Sequence, residues 1–407
     1  MAIQFVEGGA TAAQGFTAGG IHCGIRKNKS KPDLAMIFSS VPCAAAAVYT
    51  QNLVKGAPIL VTKEHLKDGA ARAVIVNSGN ANTCNADGVE TAGKMCAAAA
   101  KALHIDENDV IVASTGVIGV PLPVEPIENA VPQLSSRLSK DGSLEAAKAI
   151  MTTDTVMKNL AVECTLGGKT VKIGGIAKGS GMIHPNMGTM LCFLTTDAAV
   201  SASVLNTALH TAVDQSFNMV SVDGDTSTND TCALMASGLA GNPELTKAEG
   251  EDYEIFAEAL LQLCTALARM LAKDGEGASR LLTCTVTGAK DEKNAKTAAK
   301  GIIQSSLFKA AMFGADANWG RVLCALGYCG AETDVAKVGV SFSSRAGQIK
   351  VCENGAGVEF SEELAKKILT EDEVTILVEL GDGSAQATAF GCDLTYDYVK
   401  INGDYRS

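Results

Sequence analysis

Aromatic residues are scarce in this 407-residue chain, at 4% (1 Trp, 6 Tyr, 11 Phe), although 47% of it is hydrophobic and 41 residues are glycine. A globular core must therefore be built from small aliphatic side chains. Basic residues are also in deficit. Lys and Arg number 34 against 45 Asp and Glu, a net charge of −11, so no excess of cations exists to neutralise phosphates and a nucleic-acid partner is excluded. No uncharged apolar run reaches membrane-spanning length. The opening "MAIQFVEGGA" carries a Glu and has no basic-then-apolar signal pattern. These absences lead to the expectation of a soluble cytoplasmic protein. Histidine is limited to five residues, and the 13 cysteines are scattered from Cys23 to Cys392 with no C-x-x-C pair. Such thiols read as reduced, small core residues rather than as a zinc site or a disulfide framework.

What is present is a chain long enough for two domains or one large layered domain. "ARAVIVNSG" (71–79) and "NDVIVASTG" (108–116) are β-branched runs ending in Ser/Gly turns, the pattern of buried strands. The Ala-rich "ETAGKMCAAAAKAL" (90–103) between them is helical in propensity. "LAVECTLGGKTVKIGGIAKG" (160–179) reads as a hairpin turning at Gly167-Gly168, and 201–218 and 252–275 read as helices. From about 280 the texture changes to strand-like runs, ending in "SAQATAFGCDLTYDYVKI". The expected organisation is a layered α/β body followed by a sheet-rich C-terminal part.

"HPNMGTMLCFLTTDA" (184–198) raises a chemical question, because a Gly-Thr step sits where a buried strand begins. If the Gly188–Thr189 bond were broken, Thr189 would become an N-terminal residue. Its free α-amino group, with an ordinary pKa of about 7.7–8, would stand beside its own hydroxyl as a matched base. Gly188, without a Cβ, leaves its carbonyl open to attack by that hydroxyl. His184 is close in sequence, but one His beside a turn is more often structural. "GDTSTND" (224–230) is rich in Asp and Thr yet lacks regular cation-ligand spacing, so it reads as a turn network.

The surrounding segment, "AKGSGMIHPNMGTMLCFLTTDA" (177–198), resembles the self-processing region of the ornithine acetyltransferases of arginine biosynthesis. The resemblance runs through "EGGATAAQGFTAGGIHCGIR" (7–26), "VNSGNANTCNADG" (76–88), "ASTGVIG" (113–119), "MTTDT" (151–155), "VDGDTSTND" (222–230), "DGEGASR" (274–280), "GADANWGRVLCALG" (314–327) and "INGDYRS" (401–407). Gly188 departs from the Ala common in that family before the Thr. The resemblance implies self-cleavage between Gly188 and Thr189 into chains 1–188 and 189–407. Residues 189–280 would complete the layered core, and 281–407 would form the sheet-rich C-terminal domain. The implied fold is α/β, a layered αββα sandwich of the ornithine acetyltransferase/aminopeptidase type.

The resemblance further implies that Thr189 is the nucleophile, that Thr115 and Gly116 form the oxyanion hole, and that Thr152, Lys178, Thr189, Glu276, Asn402 and Ser407 bind substrate. The implied reaction moves acetyl from N2-acetyl-L-ornithine to L-glutamate through an acetyl ester on Thr189. It needs no metal or organic cofactor, although acetyl-CoA is admitted as a second acetyl donor. Partners would be these small molecules and the two fragments of the chain itself, as a dimer of αβ units. Charge alone suggests that Lys178 faces the substrate carboxylate and Glu276 its side-chain ammonium. The alternatives are a hydrolase of the same fold and an unprocessed binding protein whose Gly-Thr step is only a turn.

Overall fold

The computed structural model describes residues 3–184 and 190–404. Gly188, Thr189 and Ser407 lie outside the described residues. The strands are, in chain order, β1 (Gln4–Val6), β2 (Phe16–Ile21), β3 (Leu34–Tyr49), β4 (Ala70–Asn80), β5 (Val110–Val117), β6 (Lys158–Leu166), β7 (Lys169–Lys178), β8 (Leu191–Thr196), β9 (Val220–Ser221), β10 (Thr231–Ala236), β11 (Leu281–Ala289), β12 (Gly339–Ser344), β13 (Gly347–Glu353), β14 (Ala356–Gly357), β15 (Glu373–Glu379) and β16 (Ala385–Cys392).

Among the described residues they make two sheets. The first runs β1-β6-β7-β8-β10-β3-β4-β5, with β2 also paired to β3. The 16-residue β3 is its hinge. Its first half pairs with β2 and β4, its second half pairs with β10 and, at Cys43 and Ala44, again with β4, whose register breaks between Phe38 and Cys43. Strict alternation along the strands divides the side chains among three cores. Leu191 and Phe193 of β8, Ala233 and Met235 of β10, Val74 and Val76 of β4, and Ile111 and Ala113 of β5 share one inner core. Their neighbours point the other way. Cys192, Leu194, Cys232 and Leu234 meet the helices Ala202–Gln215 and Glu251–Lys273, whereas Ala73, Ile75, Val110 and Val112 meet the helices Gly88–Leu103 and Glu125–Ser135. The order is helices, half-sheet, half-sheet, helices, as the αββα expectation had it.

Small residues make this layering close. Cys192, Cys232 and Cys264 are fully buried in the outer core, and burial pushes the Cys192 and Cys264 thiols well up. The helix Glu251–Lys273 is long and apolar enough to cross a membrane by length and composition, but half of its apolar window is buried within the protein. Its stripe of Phe256, Leu260, Leu263, Leu267 and Leu271 recurs every three to four residues against β6 and β7. Each such Leu contributes roughly 1.5–3 kcal/mol by leaving water.

The second sheet, β14-β13-β12-β15-β11-β16-β9, has its own core. The region after 280 is less purely β than its sequence suggests. Helices Glu292–Gln304, Ser306–Phe313, Trp319–Tyr328 and Glu362–Leu369 cover the sheet. The strand-like "CDLTYDYVKI" stops at Cys392 and continues as the helix Tyr396–Asp404. Two contacts four residues apart on one helical face explain the change: the Tyr398 hydroxyl reaches Asp223, and Asn402 reaches Glu276.

Candidate active site

Strands β4 and β5 are parallel, and their C-terminal ends open on the same side of the sheet. There β5 leaves the core, with Thr115 and Gly116 half-buried after five buried residues. Gly116 has φ +134, and a Cβ on it would stand 2.3 Å from the carbonyl carbon of Gly79 in β4. Only glycine allows the two strand ends to close this far. The pair implied by resemblance as an oxyanion hole therefore sits at a constrained point.

Around it is a cavity of about 140 Å3 lined by residues that include Thr115, Gly116, Thr152, Lys178, Glu276 and Asn402. Six expected site residues, drawn from the span 115–402, thus converge on one cavity. Lys178 ends β7 and is 4% exposed, and its Nζ donates to Thr115 Oγ1 at 3.4 Å. Since an ammonium only donates, Thr115 Oγ1 accepts there and its own hydrogen is left for another acceptor. Burial lowers the pKa of Lys178, and the nearby charges of Lys158 and Arg26 add to this, while Asp154 and Asp230 oppose it.

Glu276 is held by its backbone, whose N–H donates to Ser180 O at 2.9 Å, and by Asn402 Nδ2, which donates to Glu276 Oε2 at 2.8 Å. Its carboxylate lies directly over Gly181, where a Cβ would be 2.3 Å away. The C-terminal helix that carries Asn402 is docked by Tyr398 on Asp223 and by an edge-on contact of Tyr396 with Phe313.

The segment 223–231 does more than its Asp/Thr-rich text suggests. Ser227, Thr228 and Asn229 line the cavity, which sequence reading missed. Asn229 is fully used: its Nδ2 donates to Ala81 O and Ser114 O, and its Oδ1 accepts from Thr83 and Thr228. It thereby ties β5 to the loop after β4. The same segment holds both described residues that flank 185–189. Thr226 Oγ1 donates to His184 O at 2.9 Å, and Thr231 N donates to Met190 O at 3.1 Å. Asp230 is fully buried, and one of its carboxyl oxygens has no partner among the described residues. Burial pushes its carboxyl well above the ordinary range, against the pull of the Met190 backbone, the Thr50 hydroxyl and Lys178.

His184 faces elsewhere, into a separate cavity with Lys300, Gln304 and Cys329. Its Nδ1 lies 3.1 Å from Ser221 Oγ, and burial, aided by the Lys300 charge, pushes its pKa down to about 4. The structural reading of this histidine is the one its surroundings support.

A family model described as the ArgJ family matches residues 17–407. The chain is similar to the arginine biosynthesis bifunctional protein ArgJ of Caldanaerobacter subterraneus, at 48% identity over 406 residues and the full length of both chains. It is 51% identical over 393 residues to ArgJ 1 of Clostridium acetobutylicum, covering 96% of each. Among solved structures, the ornithine acetyltransferase of Mycobacterium tuberculosis, determined with ornithine, matches 45% of this chain and 98% of its own at 37% identity, with a TM-score of 0.42.

Proposed function

This chain belongs to the ArgJ family, and from that premise we propose that it is an acyltransferase of arginine biosynthesis that carries acetyl from N2-acetyl-L-ornithine to L-glutamate. The observation that carries the reading is the gathering of Thr115, Gly116, Thr152, Lys178, Glu276 and Asn402 on one cavity, whose lining residues Ser227–Asn229 lie between Thr226 and Thr231, the residues bonded to His184 and Met190.

The reaction begins with self-cleavage. The Thr189 hydroxyl attacks the Gly188 carbonyl, the acyl group shifts from nitrogen to oxygen, and water hydrolyses the ester to leave chains 1–188 and 189–407. The freed α-amine then takes the hydroxyl proton as Thr189 attacks the acetyl carbon of acetylornithine. Thr115 Oγ–H, turned outward by Lys178, and the Gly116 N–H receive the negative charge on the acetyl oxygen. The tetrahedral intermediate collapses, and the ornithine amine leaves with the proton. L-Glutamate enters, its amine attacks the acetyl ester, and N-acetyl-L-glutamate departs. The ester itself stores the acetyl group, so this route calls for no metal or organic cofactor.

Lys178 suits the carboxylate of the bound amino acid, and Glu276, fixed by Asn402, suits the ornithine ammonium. The buried Asp230 carboxyl, which interacts with the Met190 backbone and keeps one oxygen unpartnered among the described residues, would serve the ammonium that cleavage creates. Ser407 joins the substrate site in this proposal, acetyl-CoA serves as a second donor, and two αβ units associate in the cytoplasm.

The test is incubation of the purified protein with acetylornithine, with and without glutamate. One equivalent of ornithine without glutamate, and continuous turnover with it, is the expected result. Continuous release of acetate without glutamate would make the protein a hydrolase instead.

A further inference from the structure

Behind the cavity lies an ion network that none of the assigned roles uses. Lys158, at the start of β6, is wholly buried, and its Nζ donates to Asp154 Oδ1 at 2.8 Å, to Asp274 Oδ2 at 2.6 Å and to Val156 O at 3.2 Å. All three ammonium donors are thus engaged. None of the three charged residues lines the cavity. A buried ion group of this kind is poor evidence of stability, because desolvation offsets much of the attraction and apolar replacements are often as stable. What it holds is more informative.

Asp154 joins Thr152 of the cavity to the backbone next to Lys178. Its Oδ2 accepts from the Thr152 N–H at 3.0 Å, and its Oδ1 accepts from the Gly179 N–H, the residue after Lys178, at 2.6 Å. Burial alone would raise its pKa, but Lys178 and Lys158 outweigh burial and hold it at about 2. Asp274 accepts from the Thr155 N–H and hydroxyl and from the Val156 N–H, and it stands two residues before Glu276. Thr152, Lys178 and Glu276 are therefore tied to one buried centre. That centre also joins residues 154–158 to residue 274, on the other side of the expected cleavage point.

We propose that Asp154, Lys158 and Asp274 are positioning residues for the acetyl-transfer site, setting the charge of Lys178 and the places of Thr152 and Glu276. The proposal rests on the transferase reading above. The charged groups around Lys178 are Asp154, Lys158, Asp230 and Arg26, with Glu276 on the same cavity and the Thr115 hydroxyl as its acceptor. Asp154 favours the Lys178 cation and Lys158 disfavours it. The two members of one network must therefore act on Lys178 with opposite sign.

The experiment measures kcat/KM for acetylornithine against pH in Asp154→Asn and Lys158→Gln, together with calorimetric binding of acetylornithine over the same range. In Asp154→Asn the Lys178 cation loses support, so the alkaline limb of both profiles should move to lower pH. In Lys158→Gln a repelling charge is gone, so the limb should move to higher pH. Asp274→Asn should raise KM for acetylornithine about tenfold through the displaced Glu276, with the limb unmoved. Lower melting temperatures with both limbs left in place, or limbs moving in the same direction, would overturn the proposal. If Asp154→Asn does not fold, the direction in Lys158→Gln decides alone. A wild-type protein that binds acetylornithine without transferring acetyl would overturn the transferase reading, and the binding profiles would still report on the network.

Discussion

Replacing Gly181 by alanine isolates the geometry of the ornithine side of the cavity. The new Cβ would lie 2.3 Å from the Glu276 carboxyl carbon, where ordinary contact begins at 3.4 Å. Gly181 is not among the residues with positive φ, so its backbone accepts alanine without strain. The carboxylate is the mobile end of a side chain and must give way by roughly 1 Å. Moving it breaks the bond from Asn402 and displaces the partner meant for the ornithine ammonium. A misplacement of about 1 Å in a positioning group costs on the order of 100-fold, or about 2.7 kcal/mol. The expected result is a kcat/KM for acetylornithine lowered by about that factor, mainly through KM, with a melting temperature close to that of the wild type. Shortening the side chain with Glu276→Asp in the same molecule makes room for the Cβ, so the double variant should lose less than the two single losses combined. Steady-state transfer assays on the four proteins measure this. A Gly181→Ala enzyme within about threefold of wild type, or strictly additive losses, would show that Glu276 does not orient the substrate.

Gly116→Ala should behave differently, because its Cβ meets the backbone of Gly79 and Asn80 at a positive φ; a loss of at least about 2 kcal/mol in denaturant melts is expected, together with loss of transfer. Asn229→Ala removes the side-chain donor to Ser114 O and one of two to Ala81 O, and should cost about 2–3 kcal/mol of stability, measured in the same way. His184 has a folded pKa of about 4 against 6.5 for the free side chain. Between those values the unfolded chain takes up a proton that the folded chain does not, so stability falls as pH drops through that window. His184→Asn should flatten this dependence, and equal slopes for the two proteins would contradict the assignment. Asn402→Ala should raise KM for acetylornithine about tenfold without unfolding the protein, since it removes one bond to a charged group at an exposed position.

The parts of the fold legible in the sequence are those where one physical signal dominates. The β-branched runs of β4 and β5 and the Gly167-Gly168 turn, with both glycines at positive φ, mark buried strands and a tight hairpin. The helix Glu251–Lys273 is legible from apolar spacing. The helices between 292 and 328 and the one from Tyr396 were not, because their short segments gain stability from packing on a sheet rather than from local pattern. At the site, Thr115 and Gly116 in isolation read as an ordinary strand-end turn, and only family resemblance drew attention to them. Ser227–Asn229 looked like turn text because their partners, Thr83, Ala81 and Ser114, lie more than 100 residues away. The pairing of Lys158 with Asp274 is equally distant, and no local spacing announces it.

Intact-mass measurement of the purified protein after a brief exposure to acetylornithine bears most directly on Thr189 as an N-terminal nucleophile. Two chains should appear, corresponding to residues 1–188 and 189–407, with one acetyl group on residue 189 of the longer chain that disappears when glutamate is added. Thr189→Ala should give one unacetylated chain without transfer activity. A single uncut chain that transfers acetyl at the wild-type rate, or an acetyl group carried on any residue other than Thr189, would contradict it.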